Sequence, residues 1–594
     1  MLKFKILLLP SIFLLFHFTS CSIQGNTNLS KNEAPSIISK KKDAINQSSS
    51  NTKTLGKLSI GQKIRDNNYL PVEERIELYH LLKKTSPDRY NFKSQDELNM
   101  YGYSLLWDGF HQDALAIFKL NVEQFPDWFE GYDSLGEGYL NKGNKEKALA
   151  NYKKSVELNP KNHNGIDQIN RINGTYKTPP KPANKFAKTF PAKSYKDDLD
   201  ELGKKLIEIN PNALKFITKK AFLKLIKKKK KLITNQTTYS EFSWHCSEII
   251  ASANCSHTSM GGFYKAWDML PISLRFPLQT RWINDQLFII DNQNNENNVA
   301  IKDEILSING IAVSKLINDI YKHIPSQGYI KTSKRQDFNE WNTGMISYAL
   351  NFPTTYKITV KGKDKPIILN TAQRSSYISP FKKPCSKELC FEILDDDTTA
   401  ILTITTFNYY WWSNLNYFKK FIDNRFKEIN EKGIKNLIID VRFNGGGSPE
   451  SSIYLLKHLI NRPFVYYSNV PDDVGEGIQY PFDQAFKGQL YFIIDGNGNS
   501  TTGHFMSIAK DLNLGTIIGE ELGSNQFCTA GQTICKLPNT ELEYYIASST
   551  CVSSATSLPD ETGILPDHYV TQSIDDYLKG VDRVKKYTLD LIKK

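Results

Sequence analysis

Two short apolar runs, residues 436–441 (NLIIDV) and 490–495 (LYFIID), constrain the fold of this chain more than any other feature. Each is apolar on both alternating faces, and each is closed by a Gly- and Asn-rich or Ser/Thr-rich turn that opens into a helical pattern. That is how a strand buried inside a covered sheet reads. A third run, 399–405 (TAILTIT), precedes an amphipathic helix over 414–431. A helix over 451–459 follows Gly445-Gly446-Gly447, and a helix ending at Leu512 leads to a strand at 516–518. This repetition predicts an α/β core with a largely parallel central sheet. Reactive groups in such cores collect at the carboxyl ends of strands. Two ends are marked here, Asp440-Val441-Arg442-Phe443-Asn444-Gly445-Gly446-Gly447 and Asp495-Gly496-Asn497-Gly498-Asn499-Ser500-Thr501-Thr502.

At 594 residues the chain exceeds what one hydrophobic core holds. Composition shifts divide it. Lys3 and Lys5 open a basic start, 6–16 are apolar, and the small residues Thr19 and Ser20 precede Cys21. The apolar stretch is too short to span a bilayer as a mature helix, so 1–20 reads as a signal peptide. A small residue directly before a cysteine resembles the lipobox of bacterial lipoproteins. That resemblance implies lipid attachment at Cys21 and a chain held to the membrane of the cell envelope, facing the periplasm or the exterior. Residues 21–65, rich in Ser, Asn, Lys and Thr, lack the apolar surface to order themselves and read as a disordered tether.

Over 66–175 a repeat of 34 residues relates Pro126 to Pro160, Gly102 to Gly136, Ala114 to Ala148 and Phe118 to Tyr152. Small residues let antiparallel helices approach, aromatics fill the gap, and proline ends the second helix. Tyr132, Leu135, Gly136, Tyr139, Ala148, Tyr152 and Pro160 resemble the signature of tetratricopeptide repeats. The resemblance implies either a groove for a protein partner or a spacer. A Pro- and Lys-rich linker covers 176–194, and a helical stretch covers 195–262. Within 263–375, a strand enters Asn309-Gly310 and leaves as Ile311-Ala312-Val313, the signal of a tight hairpin. It resembles a segment of PDZ domains, which take chain ends by strand addition. The α/β part is 376–594.

The formal charge of +12 is spread through Lys-rich segments, the densest being Lys227–Lys231 with apolar pairs on either side. A solvated helix face accounts for it, with contact to anionic lipid as the alternative. Nothing resembles a nucleic-acid-binding motif, so no nucleic-acid partner is expected. The Gly445–Gly447 run lacks the following Gly-Lys-Ser/Thr of a phosphate loop. Seven cysteines follow Cys21 without a paired CxxC zinc pattern, so neither metal nor organic cofactor is expected. An oxidising envelope permits disulfides. Spacing offers Cys385 with Cys390, Cys528 with Cys535, and Cys246 with Cys255, and connectivity stays open.

The first marked strand end resembles the DxRxNxGG signature of the C-terminal-processing (tail-specific) serine peptidases, and Ser500 falls where that family carries its nucleophile. Phe505, Gly519-Glu520 and Gly563-Ile564-Leu565-Pro566-Asp567 match in order and spacing, so the resemblance spans about 195–594. It implies a multidomain chain. Helical tetratricopeptide repeats lead to a helical subdomain, a PDZ-like β-rich module and an α/β peptidase core of the ClpP- and crotonase-like type. The implied activity is a serine-type peptidase acting on polypeptides of the envelope. One branch of the family pairs its serine with a lysine, but 522–530 around Asn525 has none. Cys255-Ser256-His257-Thr258 instead resembles the CxHT-like string of the tricorn-like branch. That makes His257 the general base and Ser256 an auxiliary serine.

An imidazole with an ordinary pKa near 6.5 suits that role. The backbone N–H groups of Gly446 and Thr501 are the expected oxyanion hole, and Asp560 or Glu561 the expected orienter of the base. His245 and His504 compete with His257, and Ser500 could serve only as a helix N-cap. Thr501-Thr502-Gly503 departs from the Ala and Glu usual after the serine, so a catalytically inactive peptide- or protein-binding scaffold is the alternative reading.

Overall fold

The computed structural model describes residues 58–160, 162–176, 185–262, 270–372, 379–410, 414–469 and 477–594. Cys21 and the expected signal peptide lie outside the described residues, as does the expected tether up to residue 57.

The first layer is helical: α1 (Ile60–Arg65), α2 (Val72–Thr85), α3 (Asp96–Trp107), α4 (His111–Gln124), α5 (Phe129–Asn141), α6 (Lys145–Leu158) and α7 (His163–Ile172). The repeat is a packing device. A Cβ on Gly102 would stand 2.5 Å from the Phe118 ring, and one on Gly136 3.0 Å from Tyr152. The missing side chains thus let α3 meet α4, and α5 meet α6. The end of the expected tether is corrected. Ser59 caps α1, Ile60 and Ile64 are buried, and Gln62 donates to Glu450 of the α/β core at 2.9 Å. Two apolar residues a turn apart suffice to order this segment because the core supplies the surface they bury.

A second helical layer holds α8 (Ala192–Ile209), α9 (Lys219–Leu232) and α10 (Tyr239–Ala251). The expected linker ends early, since Phe186 packs edge-on against Phe352 at 4.9 Å and α8 begins at Ala192. The lysine run lies on α9. Lys227, Lys228 and Lys231 are exposed, while Lys229 is buried and paired with Glu248. Next come β1 (Gln279–Ile283), β2 (Gln286–Asp291), β3 (Glu304–Ile308), β4 (Ile311–Ala312), α11 (Val313–Ile320), α12 (Thr332–Ala349), β5 (Lys357–Val360) and β6 (Ile367–Ile368). They form an antiparallel sheet in the order β1-β2-β3-β5-β6, with β4 on β3. Asn309 (φ 47°) and Gly310 (φ 80°) make the β3–β4 turn, the paired positive φ angles that Asn-Gly accepts at least cost.

The α/β core runs β7 (Leu389–Ile393), β8 (Thr399–Ile404), α13 (Leu415–Glu431), β9 (Asn436–Asp440), α14 (Pro449–Leu459), β10 (Phe464–Val465), β11 (Tyr467–Asn469), β12 (Ile478–Gln479), β13 (Gln489–Ile494), α15 (Thr501–Asp511), β14 (Thr516–Gly519), β15 (Phe527–Lys536), β16 (Glu543–Ser553), β17 (His568–Tyr569), α16 (Ile574–Leu578) and α17 (Arg583–Ile592). The central sheet is ordered β17-β14-β13-β9-β8-β7, parallel except for the β7 edge. The runs that read as buried strands are its middle: Leu437, Ile438, Ile439, Phe492 and Ile493 are fully buried. The long hairpin β15–β16 leaves this sheet and packs on the second helical layer, where Asp198 of α8 accepts from the N–H groups of Asn539 and Thr540.

Cys385 and Cys390 form a disulfide. Cys528 and Cys535 do not pair. They lie seven residues apart on one extended strand, roughly 23 Å, and Cys528 faces Cys551 across the hairpin. Cys246 and Cys255 are likewise free and buried. Among the described residues no helix is long and apolar enough to cross a membrane, and no group of three or more His, Cys, Asp or Glu is placed to hold a metal.

Candidate active site

The carboxyl ends of β9 and β13 lie side by side because the two strands are parallel neighbours. The loop after β9 is anchored by charge. Arg442 sits between Asp440 (2.6 Å) and Asp582 at the start of α17 (2.7 Å), and the two carboxylates hold its guanidinium firmly charged. This is a structural clamp. Asn444 then ties both loops together. Its Oδ1 accepts from Gly446 N–H and Thr502 Oγ1, each at 2.9 Å, and its carbonyl accepts from Asn499 N–H at 3.1 Å. Thr501 Oγ1 donates to the Gly447 carbonyl at 2.5 Å. The Thr501-Thr502-Gly503 departure is therefore used in packing. Both hydroxyls bind the glycine loop, and a Cβ on Gly503 would meet the Asn525 carbonyl at 2.5 Å.

Ser500 ends the second loop at φ 55°, ψ −125°, a region that L-residues rarely enter. It occupies the N-cap position of α15, yet its side chain makes no capping hydrogen bond. Only its carbonyl serves the helix, accepting from Gly503 and His504. A sharp strand–turn–helix elbow of this kind lifts a hydroxyl clear of its own backbone. The half-buried Ser500 side chain lies against the Cys528 thiol on β15.

The segment after α10 brings in the imidazole. The hairpin clasps it: Ser259 and Tyr545 exchange backbone hydrogen bonds, and Gln532 donates to the His257 carbonyl at 2.7 Å. His257 Nδ1 faces Cys528 Sγ at 3.6 Å and Ser256 Oγ at 3.3 Å, and Ser256 donates to Asn499 Oδ1 at 3.0 Å. Burial pulls the imidazole down to about 4, with no carboxylate contributing. It is therefore neutral, with a free lone pair, at any ordinary pH.

Ser256, His257, Ser500, Gly446 and Thr501 thus converge, although their sequence positions span about two fifths of the chain. Two expectations are corrected. Asp560 and Glu561 do not orient His257. The Asp560 carboxylate is held by Lys215 at 2.7 Å and Gln526 at 2.6 Å, while Glu561 is exposed and offers its carbonyl to Tyr329 N–H. Gly446 N–H is not a free donor, because it is given to Asn444 Oδ1. Among the described residues the N–H groups of Gly447 and Thr501 have no acceptor. Gly446 remains essential to the cradle, since a Cβ there would stand 2.7 Å from that of Ser500. Of the competing histidines, His245 lies beside Lys229 in the second helical layer. His504 is buried behind the site against Tyr466 and Tyr467, its protonation disfavoured by burial and by nearby His257.

Cys528, Asn499 and Asn444 were not foreseen as partners of the site. The sequence marked Cys528 only as a candidate disulfide partner of Cys535. Asn525, at the lysine position of the other catalytic design, clamps the carbonyls of Asp560 and Thr562, both at 2.8 Å.

A parallel sheet whose strand ends present a strained serine, an imidazole and unclaimed backbone donors defines the class of a serine-type peptidase. Residues 398–570 match the model of peptidase family S41. Solved structures to which this chain is similar include mature CPAF complexed with lactacystin (14% identity over 68% of this chain and 98% of that one, TM-score 0.46). They also include the photosystem II D1 C-terminal processing protease (13%, 66% and 98%, TM-score 0.31) and the tricorn protease (15%, 68% and 36%, TM-score 0.31). A search of curated proteins finds no match.

Proposed function

We propose that this chain hydrolyses peptide bonds through an acyl-enzyme on Ser500, with His257 as general base, and that its substrates are polypeptides of the cell envelope. The observation that carries the reading is Ser500 itself. It pays for an unfavourable backbone conformation without using its hydroxyl as a cap, and that hydroxyl meets the Cys528 thiol, which in turn meets an imidazole kept neutral by burial. His257 takes the Ser500 proton as Oγ attacks the carbonyl carbon. The negative oxygen settles on the N–H groups of Thr501 and Gly447, the first of them at the positive end of α15. The imidazolium returns its proton to the leaving amine, and a water activated by the same base releases the acyl group. Catalytic hydrogen bonds often close only with substrate bound, which accommodates a base that here reaches Ser500 through Cys528. Ser256 lies at the same ring nitrogen, Nδ1, as Cys528.

The finer expectations complete the proposal. The α3–α6 pairs act as tetratricopeptide repeats open to a protein partner, β1–β6 with their helices as a PDZ-like module for chain ends, and Cys21 as the lipid anchor. Labelling with a fluorophosphonate tests the chemistry. A stoichiometric adduct that disappears in Ser500→Ala supports the enzyme. Folded protein that stays unlabelled while binding peptides supports the scaffold reading, which the missing carboxylate at His257 favours.

A further inference from the structure

Three cysteines, Cys255, Cys528 and Cys551, gather around the Ser500–His257 pair, and the central one touches both. Cys528 and Cys551 are register partners on β15 and β16. Ser553 N–H bonds the Gln526 carbonyl, whereas Val552 N–H turns outward to Asn469 Oδ1. The intervening alternation makes Cys528 and Cys551 a hydrogen-bonded pair. Such partners have Cα atoms about 5.5 Å apart, inside the roughly 4.4–6.8 Å that a disulfide bridges. Their side chains project from the same face. Cys255 is otherwise engaged, since its thiol donates to the Thr529 carbonyl at 3.6 Å.

We infer that Cys528 and Cys551 are a modification site for disulfide-bearing oxidants, small molecules or redox proteins, and that closing their disulfide switches the peptidase on. The reduced form is the one described above. Burial pushes the Cys528 thiol well up, so it stays protonated, sits on His257 Nδ1 and meets the Ser500 hydroxyl. The base is thereby occupied by a thiol that stands where the nucleophile should be.

Half-buried Cys551 is the entry point. Its thiolate attacks a sulfur of the oxidant RSSR, giving a mixed disulfide and one RS⁻. Buried Cys528 is a poor nucleophile alone, but His257 lies 3.6 Å from its sulfur and accepts its proton. The Cys528 thiolate then attacks Cys551 Sγ and expels the second RS⁻. Two protein thiols are oxidised to one disulfide, RSSR is reduced to two RSH, and the protons pass to the leaving thiolates. Drawn toward Cys551 and without its hydrogen, Cys528 leaves His257 Nδ1, and Ser500 takes its place. The activating half of the inference rests on the Ser500–His257 reading, while the bond itself does not.

The test equilibrates the full folded chain with oxidised and reduced glutathione, maps linkages by mass spectrometry and measures fluorophosphonate labelling rates. A Cys528–Cys551 peptide should form in oxidised glutathione and vanish on reduction. Labelling should rise about 100-fold with it, the scale of bringing a misplaced catalytic group into register. Cys551→Ser should stay slow in both buffers, and Cys528→Ala fast in both. The inference is overturned by Cys528 and Cys551 remaining thiols in oxidised glutathione, by Cys528 linking to Cys255 instead, or by equal or slower labelling of the linked form. No labelling of any form, Cys528→Ala included, overturns the Ser500 reading itself, a different result from equal labelling in both states.

Discussion

The two halves of the site are held by unlike means. On the nucleophile side, Asn444, Thr501, Thr502 and the Arg442 clamp lock two strand-end loops into one unit. On the base side, the hairpin clasps the backbone around His257, but among the described residues its ring meets one serine and one thiol and no carboxylate. The nucleophile's geometry is over-determined, as a strained φ requires. The ring of the base is lightly held, so small changes in its surroundings set whether the two meet. A rigid nucleophile facing an adjustable base is an arrangement whose activity is tuned from the base side.

Substitutions can break or sharpen this contrast. Ser500→Ala should abolish the acyl adduct and lower turnover on an unstructured polypeptide by on the order of 10⁴-fold or more, leaving thermal stability unchanged or raised. His257→Ala should cost about 10²–10⁴-fold in kcat/KM with the fold intact by circular dichroism. Equal turnover in that variant would remove His257 from the mechanism.

Asn444→Ala attacks the rigid half. Gly446 N–H loses its acceptor inside the protein, while Thr502 Oγ1 keeps the Asn444 carbonyl, so denaturant unfolding should show a loss of about 1–3 kcal/mol. The acid limb of kcat/KM should fall at about pH 4 instead of near 6.5, because the neutral base persists above its lowered pKa. Stability moves oppositely to an ordinary histidine gaining a partner. With folded-state values of about 4 for His257 and His504, stability is full above pH ~6.5 and declines as pH falls toward 4, where the unfolded chain takes up protons that the folded one refuses. Glu561→Gln should change kcat/KM by less than about twofold, since its carboxylate is in solvent. A tenfold loss would restore it as orienter.

Much of the rigid half was legible in the chain. The strand runs, the glycine loop, Ser500 and the Asp440–Arg442 pair are local patterns, and the structure places them where periodicity and strand-end rules expect. His257 was legible through its neighbours in sequence. The acidic orienter was misread because position relative to a motif says nothing about side-chain partners. Lys215 and Gln526, distant in sequence, claim Asp560 first. Gly446 was misassigned for a similar reason, since an asparagine two residues earlier takes its N–H.

The sequence alone determined the elements: which runs bury as strands, where glycine permits a close turn, and which helices carry a small residue against an aromatic. These follow from period, chain stiffness and apolar burial, all properties of neighbours along the chain. Only the tertiary structure decided what stands at the imidazole. Cross-strand register set Cys551 opposite Cys528, and hairpin packing pressed that thiol between base and nucleophile. The register pairs residues 23 positions apart and the packing joins residues 271 apart, contacts that no local pattern encodes.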